Sequence, residues 1–256
     1  MASGPDLRPV GRLTVTHSTG TTAAEGQKAC GNTEVARQQA SSSIFLDTDP
    51  DARAVLSLDP GLVLDGPTPR LIDEWQVELS VWNHVRRQVD DRGQAGQFIL
   101  TGSAMPADDI TRHAGVGRFS RLRMRPMSLF ETGHSTGAIS LAALLIGTTA
   151  RSSPTALTVQ DLATRIAIGG WPALQRHGLA AALRANRDYL DQIRRFDVGQ
   201  AGGVKHDPNK VGRLLQSLAR NVATEVKIST LATDAAGRTA SFCATRSPAT
   251  STPSNA

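Results

Sequence analysis

Aromatic residues make up only 4% of this 256-residue chain, with one tyrosine, three tryptophans and six phenylalanines. That scarcity argues against a protein that holds nucleic acid by stacking bases on aromatic platforms. Cysteine is scarcer still. Cys30 and Cys243 lie far apart with no partner spacing, so neither a disulfide framework nor a zinc site is expected, and a reducing compartment fits. The six histidines include no pair at the helical spacing of a metal site and read as surface or packing residues. No apolar run approaches the ~18 residues of a membrane span, and residues 1–10 lack the apolar stretch of a signal peptide. The expectation is a soluble, cytoplasmic protein with no membrane partner. Hydrophobic residues at 39% and charged residues at 20% allow one substantial core, or one core with a small second domain. The net charge of +5 and pI near 9.9 come mainly from arginine, which suits phosphate contacts. A balance of this size is also an ordinary surface property.

Along the chain the periodic signals are uneven. Residues 1–25 form a poorly defined segment rich in Ser, Thr, Gly and Ala, whose one strand-like piece is Leu13-Thr14-Val15-Thr16. Residues 34–40 read as a helix ended by Ser41-Ser42-Ser43. From Ile44-Phe45-Leu46 onward the signals sharpen. That apolar run is closed by Asp47-Thr48-Asp49-Pro50, and a helix over 51–59 meets a break at Pro60-Gly61. The strand Leu71-Ile72 comes next, and a helix over 79–91 carries Val81, Val85 and Val89 on one face. Phe98-Ile99-Leu100 is a further strand, and residues 118–125 form one more with Arg121, Arg123 and Arg125 along one side. Helices are expected over 139–146, 158–168, 179–196 and 208–223, with a short one capped by Ser229. Strands separated by helices predict an α/β fold: a parallel sheet with helices on both faces. Residues 26–150 would form this core, 155–236 a helical region, and 237–256 a disordered tail.

Chemistry concentrates in two places. Gly26-Gln27-Lys28-Ala29-Cys30-Gly31-Asn32-Thr33 keeps both glycines and the threonine of the phosphate-loop (Walker A) pattern G-x-x-x-x-G-K-[ST], with Asn32 where the pattern has lysine. In a working loop the backbone N–H groups wrap the phosphates, the lysine bridges the outer two, and the hydroxyl holds magnesium. The segment before Gly26, Thr21-Thr22-Ala23-Ala24-Glu25, lacks the apolar strand expected to feed such a loop. Lys28 lies inside the loop and is a second candidate for phosphate. Downstream, Arg70-Leu71-Ile72-Asp73-Glu74-Trp75 puts an acidic pair at the carboxyl end of a strand (Walker B), and Leu100-Thr101-Gly102-Ser103 puts a polar pair at the end of another. Asp73 would hold magnesium and Glu74 would take a proton from the attacking water. Thr101 and Ser103 would sense phosphate. The alternative for the acidic pair is a cap on the following helix, where carboxylates favour the positive end of the dipole. For the polar pair it is an ordinary turn.

Taken together, Leu-Ile-Asp-Glu-Trp-Gln, Gly-Gln-Phe-Ile-Leu-Thr-Gly-Ser-Ala, the segment Gly117 to Glu131 and Gly169-Gly170-Trp171-Pro172 resemble one group. They are similar to the bacterial and archaeal AAA-type ATP-binding proteins, P-loop NTPases with a C-terminal domain of unknown function. The resemblance covers residues 26–236 and implies a P-loop NTPase core, a helical lid and a partial winged-helix-like region. It also implies ATP and Mg2+ as cofactors, and a phosphate-sensing role for Arg118. This sequence departs from the group at the strand before Gly26, at Asn32, and after 236, where the helix that would enter a DNA groove does not follow. The expectation is an ATP-binding protein with weak or absent hydrolysis. Weak nonspecific DNA binding, an unidentified protein partner and self-association remain open. The alternatives are a nucleotide-independent DNA- or protein-binding fragment and a decayed or frameshifted relative.

Overall fold

The computed structural model describes residues 19–102, 115–151, 156–197 and 206–237. The chain divides into two compact units between Arg187 and Asp188, so the boundary expected at 150–155 falls inside the first unit. That unit is built on a five-stranded, all-parallel sheet: β1 (Thr21–Gly26), β2 (Ser42–Phe45), β3 (Arg70–Asp73), β4 (Phe98–Gly102) and β5 (Phe119–Met124), in the order β2-β3-β4-β1-β5. Helices α1 (Asn32–Arg37), α2 (Pro50–Leu58), α3 (Pro60–Leu64) and α4 (Ser80–Arg92) flank it. The α/β expectation holds at this level.

The feeding strand missing from the sequence reading is present as β1. It pairs on both sides, Ala23 with Leu100 of β4 and with Arg121 of β5. Its composition misleads because the bulk comes from its neighbours. Ala23 lies in a cluster with Trp75, Trp82, Phe98 and Leu100 on one face, and Ala24 in a cluster with Val35, Leu71 and Ile99 on the other. Successive residues of a strand point to opposite faces. Two large layers close over small side chains, and Thr21, Thr22, Ala23 and Ala24 are all buried. The few aromatic residues are concentrated under the sheet. Trp82 stacks on Phe119 with ring centroids 3.9 Å apart and lies 5.2 Å from Trp75.

Turn chemistry sets several boundaries. Asp49 caps α2 and Asp59 caps α3, each accepting a backbone N–H at 3.0 Å, so the apolar Leu62-Val63-Leu64 after Pro60-Gly61 completes a short helix. Gly93 closes α4 with a φ of 61°, where a residue without Cβ avoids strain. Helix α5 (Leu141–Leu145) follows, then α6 (Val159–Ile168), which opens on a reciprocal capping box between Thr158 and Asp161. A 3-10 turn, Pro172–Arg176, leads to α7 (Leu179–Gln192). Ile168, Leu174 and Ala182 pack together there.

The second unit, described by itself, contains a π-type turn (Ile193–Asp197), α8 (Pro208–Arg220) and α9 (Ile228–Ala235). Asp234 ties the last two together by accepting from Ser217 Oγ at 2.6 Å and Arg220 at 3.1 Å. Among the described residues no strand follows β5. Leu13-Thr14-Val15-Thr16, the tail expected at 237–256 (apart from Gly237) and Ser103 lie outside the described residues.

Candidate functional site

In a parallel sheet every strand delivers its carboxyl end to the same edge, and open α/β sheets bind ligands there. At that edge stand residues 26–33 after β1, Asp73 and Glu74 at the end of β3, and Thr101 at the end of β4. The loop curls through two left-handed residues, Ala29 (φ 65°) and Gly31 (φ 95°), and Cys30 N–H donates to Gln27 O at 3.1 Å. Gly26 must be glycine here. A Cβ on it would meet Cys30 Sγ at 2.5 Å, Asn32 Oδ1 at 2.6 Å and Met124 Cβ at 2.9 Å.

Three elements converge on Asp73, which is buried. Thr33 Oγ1, from the first turn of α1, donates to Asp73 Oδ1 at 2.9 Å, and Thr101 Oγ1, from β4, donates to the same oxygen. Asp73 makes these bonds instead of capping the turn that follows, and no side chain caps the 3-10 turn Trp75–Val77. The helix-cap explanation of the acidic pair therefore does not describe this geometry.

Glu74 sits with φ at 52°, a left-handed conformation that is uncommon for a residue with a Cβ and is found where surrounding structure imposes it. Its carboxylate accepts from Gln76 Nε2. Burial pushes its pKa up; the Gln76 bond opposes that shift, Asp73 and Asp47 reinforce it, and Lys28 works against it. A raised carboxyl is suited to exchanging a proton nearer neutral pH.

Asn32 is not a vacancy. Buried at the start of α1, it donates through Nδ2 to Gly102 O at 3.0 Å and accepts from the Cys30 thiol at Oδ1, 2.6 Å away. The side chain that replaces the loop lysine thus braces the loop against the end of β4. Burial raises the Cys30 pKa and keeps the thiol protonated as a donor. Sequence reading missed this brace and missed Gln76. A short amide at the lysine position, and an amide two residues past the acidic residue, were the signals available.

Gly26, Lys28, Gly31, Asn32, Thr33, Asp73, Glu74 and Thr101 are all brought to one edge. Arg118 is not. It precedes β5, so it lies at the amino ends of the strands, where it forms an ion pair with Asp90 at 2.7 Å. Six residues of strand, about 20 Å, separate that end of β5 from the loop. A groove of about 430 Å³ lined by Gly20, Val89, Asp90, Gln94, Gly117 and Arg118 also opens at the amino end, away from the acidic pair.

Among the described residues no three His, Cys, Asp or Glu side chains gather as a metal cage. One carboxylate beside one hydroxyl, Asp73 with Thr33, is nonetheless a donor set that suits magnesium, which takes one or two carboxylates and completes its shell with phosphate and water. No described helix is long and apolar enough to cross a membrane.

A family model described as a domain of unknown function (DUF8612) matches residues 159–243. The match spans α6 to α9 and about a third of the chain, and leaves the sheet and the loop outside it. No curated protein matches the chain.

Proposed function

We propose that this chain is a nucleotide-binding protein of the AAA type that takes ATP with Mg2+ at the carboxyl edge of its sheet and hydrolyses it weakly or not at all. One observation carries the reading: the loop hydroxyl of Thr33 and the strand-end hydroxyl of Thr101 meet on a single carboxylate oxygen of Asp73. That juxtaposition gathers from three elements the groups a magnesium-bound phosphate chain requires. In this reading the curled loop wraps the phosphates, Thr33 and Asp73 hold the metal, Thr101 senses the terminal phosphate, and Glu74 accepts a proton from water. Bound magnesium would neutralise phosphate charge.

The weak step follows from Asn32. A lysine at this position stabilises charge on the transferring phosphoryl group, one of the larger electrostatic contributions to such catalysis. A neutral amide already committed to Gly102 and Cys30 supplies none. Titration with a fluorescent ATP analogue in the presence of magnesium tests the proposal. Saturable binding in the wild-type chain, strengthened about tenfold by Asn32→Lys, is the expected result. No saturable binding in either protein would refute it.

A further inference from the structure

Arg121, Arg123 and Arg125 are exposed along and just past β5, and among the described residues none has an ion-pair partner. Their positions differ. Strand register sets Arg121 beside Ala23, Arg123 beside Glu25 and Met124 beside Gly26. Arg125 is therefore the residue that leaves the sheet where the chain alongside it turns into the loop of residues 26–33.

The backbone that carries Arg125 is fixed on both sides. Upstream is the pairing of Met124 with Gly26. Downstream, Met127 is buried and its N–H donates to Gly170 O at 2.7 Å. Gly170 sits so close that a Cβ there would come within 2.9 Å of both Met127 N and Pro126 Cβ. The segment that holds residues 126 and 127 returns to the loop two positions later, because Pro172 Cγ lies 3.6 Å from the Cβ position of Gly31. Arg125 thus borders the loop on a backbone anchored to the sheet and to the Gly170 segment. The other cation at this edge, Lys28, is near enough to Glu74 to favour its ionised form.

We infer that Arg125 is a second phosphate-binding residue of the nucleotide site, which supplies from β5 the positive charge that position 32 lacks. The inference rests on the nucleotide reading above. A guanidinium offers five donors in a planar fork that matches phosphate oxygens, and its charge does not titrate away. A phosphate-chain ligand entering the loop meets it without displacing an existing ion pair.

The test uses the full chain and the same fluorescent ATP analogue with magnesium. Arg125→Ala is expected to weaken binding about tenfold, with Arg125→Lys intermediate. Arg121→Ala removes the same charge from the same strand farther from the loop and is expected to stay within about twofold of wild type. In an Asn32→Lys background the Arg125→Ala penalty is expected to shrink, since one cation then covers for the other. Equal affinities for Arg125→Ala and wild type overturn the inference while the nucleotide reading stands. Equal losses for Arg125→Ala and Arg121→Ala overturn it in favour of overall charge. Wild-type protein that binds no analogue overturns the nucleotide reading and this inference with it.

Discussion

Glu74 shows how much a single side chain is shaped by its surroundings. Half-buried, with Asp73 and Asp47 nearby, it has a raised pKa, which means that the folded chain holds its proton more tightly than the unfolded chain. Stability linked to this group is therefore greatest below the ordinary glutamate range, about pH 4.3, and declines as pH rises from there through the raised folded-state value. Glu74→Gln removes that cost while keeping an oxygen for Gln76. The variant is expected to melt about 1–3 °C higher than wild type at neutral pH, with the gap closing near pH 4; thermal unfolding across pH checks it. Asn32 is the counterpart in the loop. It reads in the sequence as a lost lysine, but in the fold it has acquired its own partners in Gly102 and Cys30. Pattern matching reports the residue that is missing and is silent about what its replacement touches. Arg118 was misplaced for a different reason. A residue just before a parallel strand emerges at the edge opposite to residues just after one, so Arg118 lies at the far edge from Thr101 even though only 16 sequence positions separate them.

At the scale of elements, β1 is the instructive case. The acidic strand β3 and its neighbour β4 were legible because Leu71-Ile72 and Phe98-Ile99-Leu100 carry their own bulk, and α4 because its valines recur at helical spacing. β1 carries almost none, since Trp82, Phe98 and Leu100 fill one side of it and Val35, Leu71 and Ile99 the other. A hydrophobicity pattern reads the residue and not the space left for it. Substitution separates these contributions. Ala23→Val raises intrinsic strand preference but adds two methyl groups to a layer that is already closed. Overpacking of this kind costs about 1–3 kcal/mol, so urea unfolding is expected to show a lower midpoint than wild type. A higher midpoint would mean that the layer around Ala23 has room that the buried cluster does not suggest.

For the whole molecule, the division at Arg187 and Asp188 separates a sheet-based unit that carries every candidate site residue from a helical unit joined by polar contacts. In the latter, Ser217 and Arg220 hold the Asp234 carboxyl below its usual pKa. Asp234→Asn weakens both contacts and is expected to speed backbone amide exchange in α8 and α9 while β1, β3 and β4 keep their protection; hydrogen exchange read by mass spectrometry distinguishes the two regions. Equal acceleration throughout would mean that the two units open together. The sheet order has a kinetic consequence. β1 is made before the strands that enclose it, yet Thr21 pairs with Phe98 and with Phe119, so it has no sheet partner until much later chain has emerged. Closing such long loops is slow relative to local helix formation. The strand at the centre of the finished sheet, with the loop it carries, therefore waits for partners made long after it, and the nucleotide site can take shape only when the sheet closes around it.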